Sequence, residues 1–223
     1  SADYRQTSQA PMAKWCIEQG WVFIHPNFRG PNKRPEATGS ELAVQDILSA
    51  VAYAKRVAQV DSSRVYLVGG SGGGYAALLM AGRAPEVWAA VSAWVPITDL
   101  KAWYFESVRK KRKYADDIVK SVGGIPDDGT PAEAECRKRS VLTHLARAKD
   151  LPLDIHAGIH DGHRGSVPIS HSLNAFNLVA RKSDRVSADE ITFLVEQAKV
   201  PASLAGQSAN DPAYGAKKVL FRR

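Results

Sequence analysis

Cysteine is scarce in this chain: Cys16 and Cys136 are the only two among 223 residues, and they lie far apart with no C-x-x-C pair. Such sparse usage excludes a disulfide scaffold and leaves the redox compartment open. Long apolar runs are missing too, since no stretch approaches the ~20 residues of a membrane span. No signal-peptide pattern stands at the N-terminus, and the chain starts at Ser1 without an initiator methionine. Histidine is absent after His171. Acidic residues are outnumbered, 23 against 30 Lys and Arg, for a net charge of +7.

Part of that excess sits in two clusters, Arg109-Lys110-Lys111-Arg112-Lys113 and Lys217-Lys218 with Arg222-Arg223. Basic patches attract acidic substrates or nucleic acid. Here no nucleic-acid module accompanies them and aromatics do not interleave with them, so the expected role is a solvated helix face and nucleic acid is not an expected partner. What remains is ordinary for a globular protein: 44% hydrophobic and 24% charged residues, enough for one domain with a substantial core.

The most informative segment is Gly69-Gly70-Ser71-Gly72-Gly73-Gly74-Tyr75. Before it, Val65-Tyr66-Leu67-Val68 reads as a buried strand, and after it Tyr75–Ala81 has helical composition. A serine on a sharp strand-to-helix turn within G-x-S-x-G is a nucleophile elbow. Side chains two positions either side would collide with the strained turn, which explains the glycines. The Gly72 N–H, opening the helix, is the candidate oxyanion donor. The plainer alternative is a glycine-rich turn whose serine caps a helix. A phosphate loop is excluded because no Lys-Ser or Lys-Thr follows, and Tyr75 occupies the third glycine position of a dinucleotide motif.

Strand and helix signals alternate along the chain. Strands are expected at Trp21–His25, Val65–Val68, Val87–Val95, Leu151–His156 and Lys218–Phe221. Helices are expected over Glu41–Ala58, Gly74–Gly82 and Ser170–Lys182, the first with Leu42, Val44, Ile47, Leu48, Val51 and Ala54 on one broad face. This order implies an α/β fold, a mostly parallel sheet with helices on both faces. After Asp99 the regularity lapses, and residues 100–140 read as a lid-like insertion. The expectation is a single domain over residues 1–223 that continues past both ends of the chain.

Several separated segments resemble the catalytic domain of the prolyl oligopeptidase-like (S9-type) serine hydrolases of the α/β-hydrolase superfamily. Trp21–Pro26 followed by Asn27-Phe28-Arg29-Gly30 is similar to that family's strand and Asn-aromatic-Arg-Gly turn. Gly69-x-Ser71-x-Gly73-Gly74-Tyr75 is similar to its serine motif, and Pro96-Ile97-Thr98-Asp99 to the segment after the next strand. Ile155–Asp161 with Val167-Pro168 resembles the segment bearing the acid. The chain departs from the family in having Gly70 and Gly72 where bulky residues often flank the serine. It also lacks the peptidases' propeller and the upstream loop that would give a second oxyanion contact.

The resemblance implies Ser71 as nucleophile and Asp161 as the acid that orients an imidazole; Asp161-Gly162 also suits an ordinary turn. Asp154, inside a strand, is the weaker candidate. The base is the difficulty, because the superfamily order is Ser, acid, His. His163 stands too close to Asp161, and His171 is expected as a half-exposed residue early in a helix. The implied base follows the last strand, beyond Arg223. A metal site among His156, His160, His163, His171 and Asp161 matches no standard spacing, so no metal or cofactor is expected.

Two functions stay open. One is a serine hydrolase acting on a small-molecule ester or short peptide, with carboxylesterase favoured over peptidase and Trp94, Trp103 and Tyr104 as pocket walls or lid packing. The other is a non-catalytic domain that keeps the fold and binds a ligand or partner.

Overall fold

A computed structural model describes residues 10–206, together with residues 209, 210, 215, 218 and 219. At its centre, β1 (Tyr66–Gly70), β2 (Ala90–Trp94) and β3 (Leu153–His156) form a parallel sheet in that order. Gly70 is in register with Trp94, and Trp94 with His156, so all three strands end level. The loops that leave them therefore emerge along one edge, where an open parallel sheet presents its functional groups.

Two helices precede the sheet, α1 (Ala10–Glu18) and α2 (Glu41–Val57). The second is capped by Ser40, whose hydroxyl accepts from the Ala43 N–H at 3.2 Å. It buries Val44 and Ile47 in the main core, while Leu42 stays 46% exposed. The expected broad face fails there because Leu42 lies about 200° round the helix from Val44.

Between β1 and β2 runs α3 (Gly72–Arg83), in which Ala77 to Gly82 are all buried. A helix apolar on every side belongs in a core. It rests on one face of the sheet, with Leu67, Val91 and Ala93 beneath it. The sheet's other face presents Tyr66, Val68 and Trp94, each close to half exposed. Helices were expected on both faces; α2 joins the α3 side of the core, and on the second face Trp15 of α1 reaches Tyr66 through Trp21.

Residues 100–140 are more regular than expected: α4 (Leu100–Arg109), α5 (Tyr114–Val122) and α6 (Pro131–Arg139) follow in quick succession. Asp99 caps α4 through the Ala102 N–H, and Thr130 caps α6 through the Glu133 N–H. Leu100, Tyr104, Ile118, Val122 and Cys136 enter the same core as α3. After α7 (Val141–His144) and β3 come α8 (Ile169–Val179), α9 (Ala188–Gln197) and α10 (Ala202–Ala205), which enclose a smaller core of Ile169, Leu173, Val186, Leu194 and Leu204.

Two strand expectations change. Trp21–His25 forms no ladder; Trp21 instead stacks on Tyr66, with ring centroids 5.4 Å apart, and leans edge-on against Trp15. β2 begins only at Ala90, because Pro85–Val87 makes a turn of 3-10 helix ahead of it. Lys218–Val219 pairs antiparallel with Ala209–Asn210, while Leu220 and Phe221 lie outside the described residues. Among the described residues no helix is long and apolar enough to cross a membrane.

Candidate active site

Ser71 sits where β1 becomes α3, at φ 54° and ψ −119°. A non-glycine residue in such a region costs on the order of 1–3 kcal/mol and persists only where its surroundings enforce it. The enforcement is visible: the Ser71 N–H donates to Trp94 O at 2.8 Å, and Ser71 O accepts from the Tyr75 N–H at 2.9 Å. The hydroxyl caps nothing and the residue is exposed, so the helix-cap alternative fails.

The glycines divide unevenly. A Cβ on Gly69 would lie 2.2 Å from Gly73 O, and one on Gly74 would lie 2.7 Å from Trp94 O. Gly73 has nothing within 4 Å of such an atom. The collision expected on both sides of Ser71 therefore holds at Gly69 and moves to Gly74. Beyond the turn, the buried Tyr75 hydroxyl donates to Arg139 O at 2.9 Å, and burial pushes its pKa up. Gly72 opens α3, and the first-turn N–H groups of a helix have no intrahelical partner.

Asp161 lies five residues past the end of β3, on the edge that also carries Ser71. Its Oδ2 accepts from the Gly158 N–H at 2.7 Å, and its own N–H donates to Gly158 O at 2.9 Å. Asp154 stands within β3 opposite Ser92. His156, at the end of β3, stacks on Trp94 at 3.8 Å; burial lowers its pKa, against the pull of Asp154.

The two histidines that follow Asp161 make contacts elsewhere. His163 Nε2 lies 2.6 Å from Val195 O in α9, a contact it makes as a donor. His171 is 2% exposed, not the half-exposed residue expected. Its Nδ1 accepts from the Thr98 N–H at 3.0 Å, which places the ring proton on Nε2, 3.1 Å from Glu106 Oε2. Of the expected pocket walls, Tyr104 is buried and Trp103 stacks on Tyr114, whereas Trp94 is exposed on the site edge. Among the described residues no group of three or more His, Cys, Asp or Glu is placed to hold a metal.

One feature escaped the sequence. Lys110 Nζ donates to Gly162 O at 2.5 Å, Arg112 Nη2 donates to Gly165 O at 2.6 Å, and Arg112 Nη1 donates to Ser166 O. The basic run is therefore only partly a solvated face: Arg109, Lys110, Lys111 and Lys113 are exposed and Arg112 is half-buried, yet Lys110 and Arg112 turn their charged ends to the loop after Asp161. Alternation within five consecutive cations carries no readable signal for this. The second cluster, at Lys217-Lys218 and Arg222-Arg223, has no side chain among the described residues. With the serine turn, the Asp161 loop and the level strand ends in one frame, the sequence comparison agrees with the architecture: the prolyl oligopeptidase family model matches residues 7–193, and the chain belongs to that family.

Proposed function

We propose that this chain cleaves an ester or amide bond through an acyl-enzyme on Ser71. Family membership supports a serine hydrolase of the α/β-hydrolase fold. The observation that carries the finer reading is the strained, exposed Ser71 on the same sheet edge as Asp161. In the proposed reaction Ser71 Oγ attacks the substrate carbonyl carbon and a histidine takes its proton. The Gly72 N–H, at the positive end of α3, stabilises the oxyanion. Collapse expels the alcohol or amine, which leaves with the proton, and water then releases the acid by the same route. Asp161 holds the imidazole and stabilises its charged form.

The base is proposed to lie beyond Arg223, since His171 spends both ring nitrogens on Thr98 and Glu106, and His163 turns its Nε2 to Val195 O and stands two residues from Asp161. Ester substrates are favoured: an alkoxide leaves more readily than an amine, and Gly70 leaves room beside Ser71, with nothing nearer a Cβ there than Trp94 Cβ at 3.9 Å. The family match favours the second reading, a peptide substrate.

Steady-state assays of the natural protein on p-nitrophenyl acetate and a peptide p-nitroanilide separate these readings. Ester turnover is expected, with kcat falling about 10⁶-fold in Ser71→Ala. Faster amide cleavage replaces the ester reading with the peptidase one. Absence of turnover on both, or activity that survives Ser71→Ala, contradicts the proposal and returns the binding-domain alternative.

A further inference from the structure

Resting on the reading of Asp161 as the acid, we propose that Lys110 and Arg112 are positioning residues that hold the Asp161 loop from the end of α4.

The end of α4 is built to aim them. The Lys110 N–H donates to Glu106 O at 3.1 Å, Lys111 N–H to Val108 O at 3.0 Å and Arg112 N–H to Ser107 O at 2.8 Å. With Lys111 at φ 50°, this is the paired-bond, left-handed helix stop in which glycine is the usual residue. A lysine tolerates that conformation at a cost. The reversal sends the two flanking side chains towards one target.

That target is three carbonyls of the turn after Asp161. Lys110 takes Gly162 O, the carbonyl of the residue immediately after the acid, and Arg112 takes Gly165 O and Ser166 O with separate guanidinium nitrogens. Cations at a helix C-terminus are common on dipole grounds alone, and free solvated rotamers would serve that purpose. These two converge instead, against their mutual repulsion, and among the described residues neither makes an ion pair. Burial and the neighbouring Arg112 and Arg109 charges lower the Lys110 pKa, as the convergence requires. Charge-assisted bonds to neutral carbonyls are the compensation.

A second tie brackets the same loop. Glu106, one turn earlier in α4, meets His171 Nε2 in the first turn of α8 at 3.1 Å. The chain from Gly162 to His171 is thus attached to α4 at both ends. Asp161 stands immediately ahead of this bracketed stretch, with a local turn to Gly158 and a bridge to Arg164. Fixing the peptide next to Asp161 fixes where its carboxylate can meet an imidazole, and misplacement of about 1 Å costs on the order of 10²-fold in rate.

The test is a cycle in the natural protein with p-nitrophenyl acetate. Lys110→Gln with Arg112→Gln is expected to lower kcat about 10²-fold with KM within about twofold. Arg112→Lys, which keeps one donor, should recover part of the loss. With Asp161→Asn already in place, the same pair should remove nothing further, because the residues act as a unit. If the Gln variants fail to fold, Arg112→Lys and Lys110→Arg run through the same cycle. The proposal is overturned if the losses multiply with Asp161→Asn, or if the pair leaves kcat unchanged while Asp161→Asn alone lowers it. If Asp161→Asn itself leaves kcat unchanged, the acid assignment falls and takes the positioning role with it.

Discussion

The serine turn and the Asp161 loop reach the same edge of the sheet by different means. The elbow is held by backbone: Ser71 bonds to the Trp94 carbonyl, Tyr75 closes the first turn, and α3 is buried on every side behind it. The Asp161 loop is exposed over much of its length and is held by long side chains from residues more than fifty positions earlier. Close-packed backbone leaves few alternatives, whereas flexible cations on carbonyls can be lost singly. A turn fixed by backbone hydrogen bonds and packing and a loop fixed by distant cations should respond differently to substitution.

The largest effect should come from the elbow. Gly69→Ala forces a methyl to within 2.2 Å of Gly73 O, which must shift the first turn of α3. Overpacking of this kind costs typically about 1–3 kcal/mol. Urea denaturation should show that loss, and ester turnover should disappear with it. Gly73→Ala is the internal control, since an added methyl there meets nothing within 4 Å. Replacing a helical glycine by alanine should then be neutral or stabilise by up to about 1 kcal/mol. Equal losses in both variants would break the claim that the elbow is a contact-limited turn.

A smaller effect should mark the charge-held regions. Glu133 accepts from Lys101 at 2.8 Å, from the Gly129 N–H at 2.8 Å and from Arg137 at 3.1 Å. Those bonds, the Lys101 one foremost, hold its carboxyl down to about 2 from an ordinary 4.5. Because the folded pKa is depressed, its contribution is complete above the ordinary value and fades as pH falls towards about 2. Thermal melts between those limits should lose stability with acid, and Glu133→Gln should flatten that part of the profile. An unchanged slope would remove Glu133 from the account.

The elbow was legible in the sequence because all its determinants are local: a β-branched strand, a serine and glycines within seven residues. That these segments are strands followed from their apolar runs for the same reason, whereas their order in the sheet came from the structure. Trp21–His25 has the side chains of a strand, yet its indole packs on Tyr66 and no ladder forms, since composition does not supply a backbone partner. The helices of residues 100–140 were hidden by their shortness, although Asp99 and Thr130 stand as readable caps. His171 looked like a surface residue because its partners, Thr98 and Glu106, come from distant positions. Lys110 and Arg112 were hidden in the same way, inside a run whose members look alike.

The most direct test of the central claim is covalent. Incubating the natural protein with a fluorophosphonate, then mapping the adduct by peptide mass spectrometry, reports whether an activated nucleophile exists and where. The account predicts a single adduct on the peptide carrying Ser71, absent from Ser71→Ala and slowed in the paired Lys110→Gln, Arg112→Gln variant. No adduct, or an adduct on another residue, would contradict it.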